Sequence, residues 1–209
     1  TVTGVQTCAL PISFHSQSNE AWFTKVPGLK VVYPSTPEDA KGLIASAIAD
    51  PNPVLFFEHK WLYRKVEGLV PVEYFHTPIG KARIVAHGHD ITLITYGAGV
   101  YWALEAAESL PDYSIEIIDL RSLIPWDKET VYASVQKTNR CLVLHEDTLV
   151  CGFGAEIAAH LGEVLFDCLD APIKRVGSLE PPVPFHPTLE KGFLAKTFLI
   201  QAIQDTCHY

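Results

Sequence analysis

The fold is most restricted by a regular alternation of short apolar runs and longer helical segments over residues 91–206. β-Branched runs bounded by turn residues predict strands, and the amphipathic segments between them predict helices. The predicted strands cover 91–96, 115–119, 141–145 and 173–176, and the predicted helices cover 99–110, 127–138, 154–169 and 188–206. Strands that alternate with helices imply a mainly parallel sheet with helices on both faces, which is a doubly wound α/β domain.

A shorter strand, helix, strand unit precedes this region. Residues 29–33 form an apolar run between turn residues and predict a buried strand. A hydroxyl cap at Ser35 and Thr36, with Pro37 in the first turn, predicts a helix over 37–49, followed by a strand at 54–58. Residues 65–89 carry glycines and prolines without a helical period, so they predict a linker with a domain boundary near residue 75.

Composition and charge exclude several classes of protein. The 209 residues include 16 basic and 24 acidic side chains, a formal charge of −8, and no cluster of Lys and Arg, so nucleic acid is not an expected partner. No apolar run reaches the roughly 20 residues of a membrane-spanning helix, so no membrane partner is expected. Five cysteines without CxxC spacing predict free thiols in a reducing compartment.

Six segments in one order carry a family resemblance. They are HSQSNEAW from His15, VPGLKVVYPSTP from Val26, FFEHKWLYR from Phe56, PIGKA from Pro78, IDLRSLIPWD from Ile118 and GFGAEI from Gly152. Together they resemble the β subunit of the thiamine diphosphate-dependent, decarboxylating component of 2-oxoacid dehydrogenase complexes, above all the branched-chain and pyruvate types. The resemblance places the protein in the cytoplasm of a bacterium or the mitochondrial matrix of a eukaryote.

The resemblance implies a division of the chain into four parts. Residues 14–64 correspond to the C-terminal part of a pyrimidine-binding domain, 65–80 to a linker, and 81–209 to a complete transketolase C-terminal-type domain. Residues 1–13 match nothing in the family, and the first 12 look like a translated sequencing adapter. Because the chain also contains no methionine, we expect an N-terminally truncated protein with a non-native leader.

His15 is the candidate catalytic residue, because imidazole exchanges protons near neutral pH. Taken alone, a histidine in a polar loop is also consistent with a structural role. The resemblance implies that His15 lies near the reactive carbon of thiamine diphosphate and donates a proton to the lipoyl thiolate in reductive acylation. Ser16 and Gln17 are then expected to orient it. The glutamate that activates the cofactor should lie upstream of the resembling region, so the fragment alone is expected to be inactive.

The resemblance also implies cation sites. The α subunit holds the magnesium diphosphate, whose Gly-Asp-Gly signature is absent from this sequence. A structural potassium ion is expected at Ala47, Asp50 and Asn52, where oxygen ligands meet the negative end of a helix. The alternative interpretation of the sequence DPNP, which begins at Asp50, is a plain helix stop.

Contacts with other chains are expected at four residues. Trp61, Tyr63 and Arg64 combine aromatic and charged side chains, as interface anchors do. By resemblance, Phe153 is expected to help bury a contact between two β subunits. The implied partners are an α subunit or fused α domain, a second β subunit and a lipoylated acyltransferase.

The functional prediction is a β subunit that serves in oxidative decarboxylation of a branched-chain 2-oxoacid, with pyruvate as the second choice of substrate. Two other classes remain open. One is a non-catalytic assembly module. The other is an NAD-linked oxidoreductase, because Gly97 and Gly99 follow a strand and Asp119 ends the next one, as in a dinucleotide fingerprint. Trp102 stands at the third glycine position and argues against that class.

Overall fold

The computed structural model describes residues 17–209, so His15 and Ser16 lie outside the described residues. The helices are α1 (Glu20–Phe23), α2 (Pro37–Ala49), α3 (Leu62–Lys65), α4 (Gly99–Ser109), α5 (Lys128–Thr138), α6 (Phe153–Val164), α7 (Pro187–Phe193) and α8 (Lys196–Cys207). The strands are β1 (Lys30–Val32), β2 (Val54–Phe56), β3 (Arg83–Ala86), β4 (Ile91–Thr95), β5 (Ile115–Asp119), β6 (Ser122–Ile124), β7 (Cys141–Thr148) and β8 (Lys174–Ser178).

The larger sheet has five strands in the order β3-β5-β4-β7-β8. Neighbouring strands run parallel except at the edge, where β3 pairs antiparallel with β5. Along β4, Leu93 packs into the core beneath α4 and α8, whereas Ile94 packs into the core beneath α5 and α6. Helices therefore cover both faces of the sheet, and the predicted doubly wound α/β fold is confirmed.

A second sheet of three strands has the order β2-β1-β6. The pairing of β1 with β2 is parallel, as expected of a strand, helix, strand unit. The sequence did not predict β6, which comes from the C-terminal part of the chain and pairs antiparallel with β1. The chain reverses at Arg121, whose φ is 57°, and the Arg121 carbonyl accepts a hydrogen bond of 2.8 Å from the Tyr33 amide. This pairing covers the open edge of β1.

Two predicted helices differ from the observed ones. The segment predicted as one helix over 188–206 forms α7 and α8, because the Ala195 amide donates to the Ser178 hydroxyl at 3.1 Å instead of continuing a helix. The helix predicted over 154–169 ends at Val164 and is followed by a 3-10 turn, Phe166–Cys168. Among residues 17–209, no helix has both the length and the apolar character that crossing a membrane requires.

Candidate active-site junction

Glu20 joins the N-terminal unit to the larger sheet. Its side chain is only 1% exposed, and the Tyr96 hydroxyl, at the end of β4, donates to Glu20 Oε1 at 2.9 Å. Tyr33 follows β1 and packs between Tyr96 and Phe57, with ring centroids 5.4 and 5.7 Å away. A buried carboxyl group therefore lies within an aromatic cluster built from both parts of the chain.

Burial controls the protonation of this cluster. The pKa of Glu20 is raised from 4.5 to about 7, chiefly by burial, with smaller raising effects of the nearby carboxylates of Asp147 and Glu146 and lowering effects of hydrogen bonds. Burial likewise raises the pKa values of Tyr33 and Tyr96 well above 10. Glu20 consequently keeps its proton to a higher pH than a carboxyl group on the surface does.

A cavity of about 330 Å³ opens beside this junction. Gln17, Ser18 and Trp22 line one side, while Glu146 and Asp147 line another. Gln17, predicted to orient His15, thus faces the cavity, although its predicted partners His15 and Ser16 lie outside the described residues. The His59 imidazole bonds to Glu146 and so connects the end of β2 with β7.

A second polar cluster fixes the two sheets together. Ser35 donates to the buried carboxylate of Asp119, and Arg121 donates to Asp39 at 3.0 Å. Arg83 lies 3.3 Å from Asp39 and 3.7 Å from Asp119. Burial raises the pKa of Asp119 to about 6 in spite of the Ser35 hydrogen bond. Contacts between residues far apart in the sequence therefore hold the two sheets together.

The dinucleotide interpretation does not suit this geometry. Asp119 would have to reach a ribose, but its side chain is fully buried and already bonded to Ser35. Gly97 has a φ of 55°, and a Cβ added there would lie 2.7 Å from Tyr33 Cε1. Gly99 packs against the Thr95 side chain. These glycines therefore serve a tight turn under Tyr33.

The predicted potassium ligands lie at the end of α2. Because Pro51 has no N–H, the Ala47 carbonyl lacks its helical donor and is available to another partner. The Asp50 carboxylate is not free, since it pairs with Lys30 and accepts from the Asn52 amide at 2.9 Å. Lys30 holds the pKa of Asp50 below its usual value. Backbone carbonyls, rather than this side chain, fit a monovalent cation here.

Within residues 17–209, no group of three or more His, Cys, Asp and Glu side chains is arranged to hold a metal ion.

The predicted interface residues divide into two groups. Trp61 and Tyr63 are 40% and 63% exposed, and Arg64 is also exposed, so all three are accessible for a contact. Phe153, in contrast, is 3% exposed because it begins α6 and packs into the core with Ile157. Phe153 therefore packs in the core of its own chain, and its predicted contribution to a contact between subunits stays a prediction.

Sequence reasoning missed Glu20 and Tyr96 as site residues. Glu20 lies in the resembling segment HSQSNEAW, but no local signal shows that a glutamate between Asn19 and Ala21 is buried. His145 lies within β7, where burial lowers its pKa to about 4 and its Nδ1 atom lies 2.9 Å from the Asp147 carbonyl oxygen.

Comparisons with known proteins agree with this architecture. The family model for the transketolase C-terminal domain matches residues 80–197, and the model for the transketolase pyrimidine binding domain matches residues 12–66. A split-gene transketolase, an inactive beta4 tetramer, has a similar fold, with a TM-score of 0.74 and 21% identity over 94% of this chain and 63% of that one.

Curated relatives are more similar in sequence. The chain is 48% identical over 193 residues to the 2-oxoisovalerate dehydrogenase subunit beta of Bacillus subtilis, covering 90% of this chain and 59% of the relative. It is 47% identical over 182 residues to the acetoin:2,6-dichlorophenolindophenol oxidoreductase subunit beta of that organism, covering 86% and 53%. It is 42% identical over 197 residues to the pyruvate dehydrogenase subunit beta of Rhizobium meliloti, covering 93% and 43%.

The chain spans about half the length of these relatives. The resemblance to β subunits of 2-oxoacid dehydrogenases is confirmed by these matches. The family models and the fold together support one assignment: the chain belongs to the transketolase C-terminal domain family and carries part of a transketolase pyrimidine-binding domain ahead of it.

Proposed function

We propose that the chain is part of the β subunit of a 2-oxoacid dehydrogenase that acts on branched-chain 2-oxoacids and acylates a lipoyl group. The observation that carries this proposal is the identity of 48% to a 2-oxoisovalerate dehydrogenase β subunit over 90% of the chain. Branched-chain amino acid catabolism would then supply the substrates. The proposed location is the bacterial cytoplasm, or the mitochondrial matrix in a eukaryote. A similar protein of Arabidopsis thaliana, 2-oxoisovalerate dehydrogenase subunit beta 2, is named as mitochondrial.

The described residues do not fit the diphosphate of the cofactor. The cavity beside Gln17 is lined by Glu146, Asp147, Glu180 and Glu190, and their negative charges would repel a diphosphate. We therefore propose that a partner α subunit, or a fused α domain, holds the diphosphate and its magnesium ion. Bound thiamine diphosphate would supply the carbanion and the electron sink for decarboxylation.

The proposed contribution of this chain to the reaction is a proton donated by His15. As a lipoyl disulfide opens, one sulfur becomes bonded to the acyl carbon and the other departs as a thiolate that needs a proton. An imidazolium group can donate that proton near neutral pH. Gln17 faces the cavity, and with Ser16 it is proposed to orient the imidazole. The other proposed partners are a second β subunit and the lipoylated acyltransferase that brings the lipoyl group.

The test uses the full-length β subunit that contains this segment, co-expressed with its α subunit. The assembled enzyme is assayed with 3-methyl-2-oxobutanoate, pyruvate and acetoin, each with a dye acceptor and with a lipoylated domain. We expect the highest kcat/KM with the branched-chain 2-oxoacid and loss of lipoyl acylation in His15→Ala. A preference for pyruvate would favour the second substrate. A preference for acetoin, or an assembled but inactive protein, would refute the proposal.

The potassium proposal rests on the Ala47 carbonyl and on the neighbouring carbonyls of Asp50 and Asn52. Among residues 17–209, no backbone amide outside the helices and strands donates to the carbonyls of Asp50 or Asn52. We expect the melting temperature of the full-length subunit to fall when potassium is replaced by lithium. An unchanged melting temperature would favour a plain helix stop at this position.

A further inference from the structure

The short helix α1 carries a buried carboxyl group that the proposed reaction does not use. Glu20 begins this helix, and its Oε2 atom has no hydrogen-bond partner among the described residues. A helix of four residues is unstable by itself, so its position must come from contacts with the rest of the fold. The Glu20 side chain supplies one such contact, through Tyr96.

The contact with Tyr96 joins α1 to the carboxyl end of the central strand β4. Within residues 17–209, no other side-chain hydrogen bond connects α1 to the larger sheet. The remaining contacts of α1 are apolar: the Phe23 ring lies 6.0 Å from Phe57, whereas Trp22 is 68% exposed. Apolar contacts are not directional. The hydrogen bond from Tyr96 therefore supplies the directional contact that fixes α1 relative to the larger sheet.

The described residues that lead into α1 line the cavity. They are Gln17, Ser18 and Asn19, and His15 precedes Glu20 by five positions in the sequence. A proton donor must be held within hydrogen-bond reach of its acceptor, and small displacements reduce the rate strongly. A residue that fixes the position of residues 17–19 can therefore affect how well the nearby His15 is placed for proton transfer.

We propose that the Glu20–Tyr96 pair positions residues 17–19, and through them His15, for proton transfer to the lipoyl thiolate. This proposal rests on the proposed function, because it assigns a role relative to His15. Glu20 is a positioning residue and does not touch the reacting atoms. Its carboxyl group accepts a hydrogen bond from the Tyr96 hydroxyl group.

A carboxamide preserves these properties and a leucine does not. Glu20→Gln keeps a planar oxygen acceptor for Tyr96 without a negative charge. Glu20→Leu introduces an apolar side chain of similar size and leaves the buried Tyr96 hydroxyl without an acceptor. Tyr96→Phe removes the same hydrogen bond from the other side. Glu108→Leu, on the exposed face of α4, is the matched control.

The experiment uses the full-length β subunit assembled with its α subunit. Two rates are measured with the same 2-oxoacid: reduction of 2,6-dichlorophenolindophenol, which bypasses the lipoyl step, and acylation of a lipoylated domain. We expect Glu20→Leu and Tyr96→Phe to lower the ratio of the acylation rate to the dye rate at least tenfold. We expect the ratio in Glu20→Gln and Glu108→Leu to stay within twofold of the parent value.

The outcomes separate positioning from general stability and from the proposed function. An unchanged ratio in Glu20→Leu, or equal losses of both rates, would overturn the positioning role. If Glu20→Leu does not assemble, the ratio in Tyr96→Phe decides in the same way. If His15→Ala keeps lipoyl acylation, the proposed function of His15 fails. If His15→Ala loses acylation while Tyr96→Phe keeps it, only the positioning proposal fails.

Discussion

Replacing Glu20 by glutamine should change how the stability of the subunit depends on pH. Burial raises the pKa of this carboxyl group from 4.5 to about 7 in the folded protein. Between these values the folded state keeps a proton that the unfolded state has released, so the free energy of unfolding falls as the pH rises. A pKa shift of one unit corresponds to about 1.4 kcal/mol. The shift of Glu20 therefore lowers the free energy of unfolding by roughly 3 kcal/mol in total as the pH rises.

Glutamine does not titrate, so the free energy of unfolding of Glu20→Gln should not show this contribution to the fall with pH. The free energy of unfolding of Glu20→Gln minus that of the parent should increase by about 3 kcal/mol between pH 4 and pH 8, with most of the change between pH 4.5 and pH 7. Titrating groups that do not interact with Glu20 cancel in this difference. The measurement is urea unfolding of the assembled full-length protein at several pH values and one fixed protein concentration.

The matched control is Glu108→Gln, because Glu108 is exposed on α4. For that pair the difference in unfolding free energy should stay constant over the same pH range. A constant difference for Glu20→Gln would refute the reasoning, since it would mean that the Glu20 carboxyl group has the same pKa in the folded and unfolded states.

Substitutions at four further positions test the packing and the helix capping of the fold. Leu93→Ala empties a fully buried position in β4 and should lower the free energy of unfolding by about 3 kcal/mol in urea titrations. Thr36→Ala removes the α2 cap, whose hydroxyl accepts from the Asp39 amide, and should cost about 1 kcal/mol, whereas Thr36→Ser should recover most of it. Gly154→Ala places a Cβ 2.5 Å from the His145 ring and should lower the melting temperature, whereas Gly162→Ala, with open space in the same helix, should raise it. Equal effects of these two glycine substitutions would contradict the packing argument.

Elements with local signals were predicted well. Helix α2 covers the predicted residues 37–49, because Thr36 caps it, Pro37 opens it, and Pro51 and Pro53 follow its end. The strand β5 also has its predicted bounds, 115–119. In both cases the residues that start and stop the element are neighbours in the sequence, so no knowledge of the rest of the fold is needed.

Elements decided by distant partners were not predicted. Strand β6 forms because the chain after Arg121 finds the open edge of β1, about 90 positions earlier in the sequence. The break between α7 and α8 forms because the Ser178 hydroxyl and the Leu179 amide engage backbone groups of this segment. Phe153 is buried because α6 packs on the sheet, whereas its sequence context gives no reason to prefer a core over an interface.

The sequence by itself determined the alternation of strands and helices, the doubly wound class and, through six ordered segments, the family. It also marked Gln17 as an orienting residue and Trp61, Tyr63 and Arg64 as interface residues, and these roles stay predictions. Only the tertiary structure decided that Glu20 is buried against Tyr96, 76 positions away. The pKa of a carboxyl group depends on its desolvation and on its neighbours in space, and these are set when two distant parts of the chain pack together.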